Sequence, residues 1–389
     1  MHPRYLFAAS RLVVQGALFS TIYFISRNST QLDSKYWINV FFISSIISLV
    51  LSGERHLSIN RSVTPNTLED EAAAYLRWPL LLSLLIFLFS ITVLPVSRHI
   101  STLLVMISVE LLYGDYIRIA LISNDIVKAS KVNIVRAASH CLPLGVALWI
   151  ENSNVYYFGL YGYIFFYLFL FSLLKPKYIG SIKTVLTRLK NEMQPKFISA
   201  ALFSRLPYTL DKNIFSIYAI STLSADYALI TAAASSFVSV IDNAFFQTKL
   251  ADIISNSSRQ RKLMSKLFFR SMVCLLLALV FALALHLAST YNFNLIYHGD
   301  KYKYIINFFG FCIMVNTYLN LNIYSYMCIM RRNSVAQHLS CILPIIGISV
   351  STYAMGSLSI FSMIVFYALS IFLSLIFLNF AFRDIAKHD

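Results

Sequence analysis

Charged residues, glycine and proline are all scarce in this chain of 389 residues. Only 13% of the residues are charged and 58% are hydrophobic, with a mean hydropathy of +0.68. This composition excludes a soluble globular protein. Acidic residues are the rarer charged class, 17 against 32 basic ones, which gives a net charge of +15. Basic cytoplasmic loops beside anionic lipid headgroups explain this charge better than nucleic-acid binding, which we do not expect.

Cysteine and the common catalytic motifs are also missing or sparse. The five cysteines lie in or beside apolar segments, and none forms a CxxC pair. This argues against a disulfide framework and a cysteine metal site. The sequence contains no HxxxxD, HExxH or GxSxG motif and no phosphate-binding glycine loop. We therefore predict no catalytic residue, no metal and no cofactor, and we expect a protein that is not an enzyme.

Long apolar runs are what the chain does contain. Spans of about 20 residues match a hydrocarbon core of about 30 Å, and the first is expected to be a retained helix because no small-x-small cleavage site follows it. The sequence predicts an all-α polytopic membrane protein with about twelve transmembrane helices, at 6–26, 36–52, 78–96, 101–122, 137–150, 157–174, 198–220, 227–248, 271–289, 304–328, 337–355 and 359–380.

The basic residues fall almost entirely on every second loop. On this assignment one side of the membrane carries 23 Lys and Arg residues and the other carries 5. The positive-inside rule makes the richer side cytoplasmic and places both termini there. The basic segment 175–197 then divides the chain into two six-helix bundles, 1–174 and 198–389, and is either an amphipathic surface helix or a solvated linker.

An internal repeat supports this division. Residues 10–12 (Ser-Arg-Leu) recur as 204–206, and the pattern Ile-Tyr-x-Ile-Ser at 22–26 recurs at 217–221. The first predicted helix is therefore repeated as the seventh. Because the repeat comprises six helices, an even number, both copies enter from the same side, which predicts a parallel repeat of the kind in which transporters place a substrate site between halves.

Ionisable side chains at membrane depth are the candidate functional residues, because each costs about 2.5–3.5 kcal/mol on insertion scales and so faces water or a partner. The sequence predicts substrate-binding cations and charge-balancing carboxylates within the spans. Asp115 and Arg118 are three residues apart on one helix face, so a local ion pair is an open alternative for them. The predicted cations are Arg11, Arg118, Arg205 and Lys212, and the predicted carboxylates are Glu110, Asp115, Asp211 and Asp242.

The seventh predicted helix carries the sharpest pattern. Arg205 and Lys212 are seven residues apart and nearly eclipsed on one face, and Pro207 frees backbone groups between them. Such a cationic stripe, with Arg11 facing it from the first half, fits an anionic group such as a pyrophosphate. Asp211 would neutralise Lys212 or bind a coupling cation. The alternative is that Asp211 pairs with Arg205 or Lys212 only to hold helices together.

Three segments resemble one family, the polysaccharide flippases of the multidrug/oligosaccharidyl-lipid/polysaccharide exporter superfamily. The hairpin 26–51 with its Ser-Gly-Glu-Arg end at 52–55 resembles their opening helix pair. Residues 210–214 (Leu-Asp-Lys-Asn-Ile), followed by 225–228 (Ala-Asp-Tyr-Ala), resemble their helix 7–8 hairpin. Residues 298–302 (His-Gly-Asp-Lys-Tyr) resemble the entry to their helix 10.

The resemblance implies two six-helix bundles around a central cationic cavity. It also implies a multi-pass protein of the bacterial inner membrane that moves a polyprenyl-pyrophosphate-linked oligosaccharide repeat unit across that membrane by alternating access, for surface polysaccharide such as O-antigen. The implied partners are that lipid-linked oligosaccharide, membrane lipids, a polysaccharide polymerase and a chain-length regulator. Coupling to a proton or sodium gradient is left open.

Two other functions are weighed against the flippase. A polymerase or acyltransferase of the same pathway would need a large external loop, or a His and Asp pair near a membrane face. The sequence contains neither, since its longest outward loop is 290–303. A drug or small-ion exporter of the same fold is the second alternative. The number of intramembrane cations favours an anionic lipid-linked substrate over it.

Overall fold

The structure is a computed structural model, and it describes only part of the chain. The described residues are 3–28, 31–52, 68–122, 125–149, 155–173, 185–186 and 360–388, together with parts of 226–238, 269–287, 307–319 and 346–354. Within these ranges the backbone forms helices joined by turns. The long helices are α1 (Pro3–Asn28), α2 (Gln31–Ser52), α3 (Leu68–Val93), α4 (Arg98–Ile122), α5 (Ile126–Trp149), α6 (Val155–Ser172) and a C-terminal helix (Ile360–His388).

Four of the described helices contain stretches long and apolar enough to cross a membrane, namely Leu6–Phe24, Ala74–Val93, Arg98–Leu121 and Ser362–Phe380. Shorter apolar stretches lie at Asn39–Ser52, Tyr157–Ser172 and Asn307–Asn316. Many serines in these helices donate their hydroxyl to a carbonyl three or four residues earlier, as Ser83 does to Leu80 at 3.0 Å. This local bond satisfies a polar group that hydrocarbon cannot.

Two predicted helices begin ten or more residues earlier than the sequence indicated. The span predicted at 78–96 is α3, which starts at Leu68 and ends at Val93, and the span predicted at 137–150 is α5, which starts at Ile126. Helix α3 ends before Pro95, a residue that disfavours helical conformation in its predecessor. Arg77, Lys128, Lys131 and Arg136 therefore lie in helices, and placing them in the loops 53–77 and 123–136 was wrong; the side of the membrane predicted for them stays a prediction.

The helix ends have local causes in the sequence. Ser97 accepts a hydrogen bond from the amide of Ile100 at 3.4 Å and so caps the start of α4. Asp125 accepts a hydrogen bond from the amide of Lys128 at 3.2 Å and caps the start of α5 in the same way. These caps allow α3, α4 and α5 to follow one another through short connections.

The chain divides into two compact units. The first comprises Met1–Ser29, Val40–Ser199 and Val240–Ala251, and the second comprises Thr30–Asn39, Ala200–Ser239 and Asp252–Asp389. The domain boundaries predicted at the linker 175–197 stay a prediction, since only two residues of that segment are described. The exact number of twelve helices likewise stays a prediction.

Helix α1 packs most closely against α5 in the first unit, and α3 packs against α4. Val14, Ala17 and Ala137 form a buried cluster between α1 and α5, where small side chains let two backbones approach. Helix α6 packs on α5 at Gly162. A Cβ added there would lie 2.4 Å from Cγ of Pro143 and 2.5 Å from the carbonyl oxygen of Ser139.

The second unit has an aromatic core among its described residues. Tyr227, Phe309, Phe366 and Tyr367 are all buried, and the hydroxyls of Tyr227 and Tyr367 are hydrogen-bonded to each other. Ser370 of the C-terminal helix donates a hydrogen bond to the side-chain oxygen of Asn316 at 2.8 Å. The aromatic cluster and the hydrogen bond between Ser370 and Asn316 fix the C-terminal helix against its neighbours in that unit.

Candidate functional site

Arg11 stands at one end of a hydrogen-bonded chain that joins three helices. Its Nη1 donates to the hydroxyl of Tyr113 at 3.1 Å, and that hydroxyl donates to Oδ1 of Asn133 at 2.7 Å. Nδ2 of Asn133 then donates to the hydroxyl of Ser10 at 2.9 Å, and Ser10 donates to the carbonyl of Phe7. Since Ser10 precedes Arg11 in α1, the chain returns to the helix where it began and fixes α1 against α4 and α5.

Arg136, which is not among the site residues predicted from the sequence, lies against the ring face of Tyr113. Its guanidinium carbon is 4.0 Å from the centre of the Tyr113 ring, the geometry of a cation–π contact. Its Nη2 donates to Oε1 of Glu110. Tyr113 thus holds two arginines, Arg11 at its hydroxyl and Arg136 on its ring face.

Asp115 and Arg118 belong to a separate cluster where α2, α3 and α4 meet. Oδ1 of Asp115 accepts hydrogen bonds from the hydroxyl of Tyr75 at 2.8 Å, from Ser52 at 3.1 Å and from Nη1 of Arg118 at 3.1 Å. Arg118 also donates to the hydroxyl of Ser52 at 2.9 Å. Asp115 is fully buried. The ion pair that the sequence left open for Asp115 and Arg118 is therefore formed.

The cluster around Tyr113 and the cluster around Asp115 together contain three arginines but two carboxylates, so their charges do not cancel. Arg118 is paired with Asp115 and Arg136 with Glu110. Among the described residues, the hydrogen-bond partner of the Arg11 side chain is the neutral Tyr113, and the buried Nε of Arg11 has none. With respect to the residues that the structure describes, Arg11 therefore retains hydrogen-bond donors and an uncompensated positive charge within a stretch that is apolar enough to cross a membrane.

The other predicted site residues lie outside the described residues. These are Arg205, Asp211, Lys212 and Asp242. In the part of the chain that the structure describes, no three His, Cys, Asp or Glu side chains come together as metal ligands would. The described site is therefore a group of arginines, two carboxylates and neutral hydrogen-bonding partners.

Comparison with known proteins identifies the fold. Neither a protein-family model nor a curated protein sequence matches this chain. Among solved structures, a mutant of the Vibrio cholerae MATE transporter VcmN is 10% identical with a TM-score of 0.58, covering 99% of this chain and 96% of that one. The eukaryotic MATE transporter AtDTX14 is 8% identical with a TM-score of 0.56, covering 99% of this chain and 98% of that one.

A third solved structure names a superfamily. It is the outward-facing conformation of a multidrug resistance MATE family transporter of the MOP superfamily, at 12% identity and a TM-score of 0.51, covering 99% of this chain and 96% of that one. MOP abbreviates the multidrug/oligosaccharidyl-lipid/polysaccharide exporter superfamily that the sequence resembles. The prediction of an all-α polytopic membrane protein is confirmed, and over its whole length the chain has the fold of MATE transporters.

Proposed function

We propose that this protein is a transporter that moves a polyprenyl-pyrophosphate-linked oligosaccharide across the bacterial inner membrane by alternating access. The observation that carries the proposal is the unbalanced charge of Arg11, whose described hydrogen-bond partner is neutral and whose Nε is unbonded. A guanidinium group is well suited to this task because its planar donors bind phosphate oxygens bidentately. The fold supports a transporter over a polymerase or acyltransferase, since the solved structures that share it are transporters.

The position of Arg11 inside an apolar span indicates that its charge has a function. An arginine costs about 2.5–3.5 kcal/mol at the centre of a transmembrane helix on insertion scales, and arginines within such helices tend to line a wet cavity or a substrate path. The bond to Tyr113 holds the guanidinium in one position before any substrate arrives. Arg205 and Lys212 are proposed to supply the matching charges from the second half, as the sequence repeat predicts.

A drug exporter of the same fold is the second candidate, favoured by the multidrug resistance transporter among the solved structures of this fold. The two candidates differ in the charge of what they carry. A cationic drug would be repelled by the unbalanced Arg11, whereas a pyrophosphate would be attracted. Asp115, Asp211, Asp242 and Glu110 are proposed to balance charge or couple transport to a proton or sodium gradient.

The test is a lipid-flipping measurement with the purified full chain in proteoliposomes. The probe is a fluorescent polyprenyl-pyrophosphate disaccharide, and the readout is its accessibility to a quencher that does not cross the bilayer. We expect flipping by the wild type and a protein-free rate for Arg11→Ala. The control is Lys131→Ala, which removes an exposed cation from α5.

Two outcomes would reject the proposal. Flipping at the wild-type rate by Arg11→Ala would remove the anion-binding role of this residue. Export of a cationic dye such as ethidium by wild-type proteoliposomes that do not flip the lipid probe would identify a drug exporter instead.

A further inference from the structure

Helix α4 carries two carboxylates whose surroundings differ. Asp115 is fully buried and accepts hydrogen bonds from three side chains of α2, α3 and α4. The side chain of Glu110 is 17% exposed, and its hydrogen-bond partner in the described part of the chain is Arg136. Breaking the contacts of Asp115 would disrupt a fully buried carboxylate, whereas Glu110 is partly exposed. Of the two carboxylates, Glu110 is the exchangeable one.

Glu110 belongs to a stripe along one face of α4. Glu110, Gly114 and Arg118 are spaced four residues apart, so their side chains lie along one stripe. A Cβ added to Gly114 would meet no atom within 4 Å. The stripe lies within the apolar span Arg98–Leu121 and is ionisable at both ends, a composition typical of a face that lines water or a partner helix rather than lipid.

Arg136 and Arg11 both contact the side chain of Tyr113. The ring of Tyr113 carries Arg136 on its face at 4.0 Å, and its hydroxyl binds Arg11 at 3.1 Å. Two guanidinium groups fixed on one rigid aromatic residue form a preorganised pair. Two guanidinium groups offer more donors to the phosphoryl oxygens of a pyrophosphate, or of a single phosphate, than either arginine alone.

We propose that Glu110 is a resident counterion of Arg136 that an incoming phosphate or pyrophosphate group displaces, so that the anion binds Arg136 and Arg11 together. This inference rests on the proposed function and adds a mechanism of binding and release to it. A buried arginine without a counterion is costly. Exchange of one anion for another keeps Arg136 paired throughout, so the anion binds reversibly and Glu110 returns when it leaves.

The first test measures binding of farnesyl pyrophosphate to the purified full chain in nanodiscs of neutral phosphatidylcholine. Glu110→Gln removes the competing charge but keeps the size of the side chain. We expect it to bind the probe about tenfold more tightly and Arg136→Ala to bind it about tenfold more weakly, the size of one charge-assisted hydrogen bond. The control Asp125→Asn replaces an exposed helix-capping carboxylate and should bind as the wild type does.

A double variant separates counterion exchange from a merely structural role. In Glu110→Gln combined with Arg136→Ala, the gain from Glu110→Gln should disappear, because the competition is for Arg136. If Glu110→Gln does not fold, Glu110→Asp shortens the carboxylate and should tighten binding by a smaller factor. Unchanged or weaker binding in the folded Glu110 variant would overturn the proposal.

Two further comparisons identify the source of the anion and separate this inference from the proposed function. If phosphatidylglycerol in the nanodisc competes with farnesyl pyrophosphate in the wild type but not in Arg136→Ala, a phospholipid headgroup also exchanges with Glu110. If it does not compete, the group that exchanges is the pyrophosphate. Tighter binding by Glu110→Gln in a protein that flips no lipid-linked oligosaccharide would support the exchange and reject the flippase.

Discussion

The guanidinium group of Arg11 and the hydroxyl group of Tyr113 are joined by a hydrogen bond of 3.1 Å across 102 positions of sequence. The same hydroxyl donates to Asn133 at 2.7 Å. The hydroxyl of Tyr113 therefore donates its one proton to Asn133 of α5 and accepts a hydrogen bond from Arg11 of α1, while the ring face contacts Arg136. A single tyrosine orients both arginines of the described site that we propose to bind the substrate.

Tyr113→Phe separates the hydroxyl contacts from the ring contact. The variant keeps the ring for Arg136 but removes the acceptor of Arg11 and the donor to Asn133. We expect a flipping rate about tenfold lower, equivalent to about 1.4 kcal/mol, because Arg11 is no longer held in place. The proteoliposome assay measures it.

The matched control is Tyr161→Phe, which removes a hydroxyl from a side chain that is 62% exposed. It should leave the flipping rate unchanged. An equal loss of rate in both variants would mean that the effect of Tyr113→Phe does not come from its contact with Arg11.

Gly162→Ala tests the contact between α5 and α6. The new methyl carbon would lie 2.4 Å from the ring of Pro143 and 2.5 Å from the carbonyl oxygen of Ser139, so the helices must separate. Overpacking of this kind costs about 1–3 kcal/mol. We expect a lower thermal unfolding midpoint of the protein in detergent.

Gly16→Ala is the control for this substitution, because a Cβ there meets no atom within 4 Å. It should keep the midpoint or raise it slightly, since alanine favours the helix. Equal midpoints for the two variants would show that α5 and α6 do not depend on the close approach at Gly162.

Asp115→Asn tests the cluster of Asp115, Arg118, Ser52 and Tyr75 where α2, α3 and α4 meet. The substitution removes the counterion of Arg118 while leaving an amide of the same size beside Ser52 and Tyr75. Breaking a buried pair costs about 3–5 kcal/mol, so we expect poor accumulation in the membrane and a low unfolding midpoint. Asp125→Asn is the control, since asparagine caps a helix as well as aspartate does. A normal midpoint for Asp115→Asn would show that the cluster does not stabilise the fold.

Arg11 and the pair of Asp115 and Arg118 can be recognised in the sequence because each is a charge inside a clearly apolar run. Arg136 cannot be recognised in this way, because Lys128, Lys131 and Arg136 lower the mean hydropathy of the first half of α5 to that of a loop. Helical spacing was the available signal. Ala129, Val132, Asn133 and Ala137 are buried at intervals of three, one and four residues, which is one face of a helix.

The pairing of Tyr113 with Arg11 was beyond the sequence. The repeat and the charge map give no register between α1 and α4, and a tyrosine in an apolar span is an ordinary packing residue. Only the way in which α1 packs on α5, through Val14, Ala17 and Ala137, sets the depth at which Arg11 meets α4. Side-chain partners of this kind follow from tertiary packing rather than from spacing along the chain.

The last prediction concerns the second half of the chain, where the repeat makes Arg205 the counterpart of Arg11. If the repeat reflects function, Arg205→Ala and Lys212→Ala should each reduce lipid flipping as severely as Arg11→Ala. All three variants should accumulate in the membrane, because each removes a charge that costs free energy to insert. The control is Lys190→Ala in the predicted cytoplasmic linker, which should flip lipid at the wild-type rate. Full activity in Arg205→Ala and Lys212→Ala, with loss in Arg11→Ala alone, would confine anion binding to the first half.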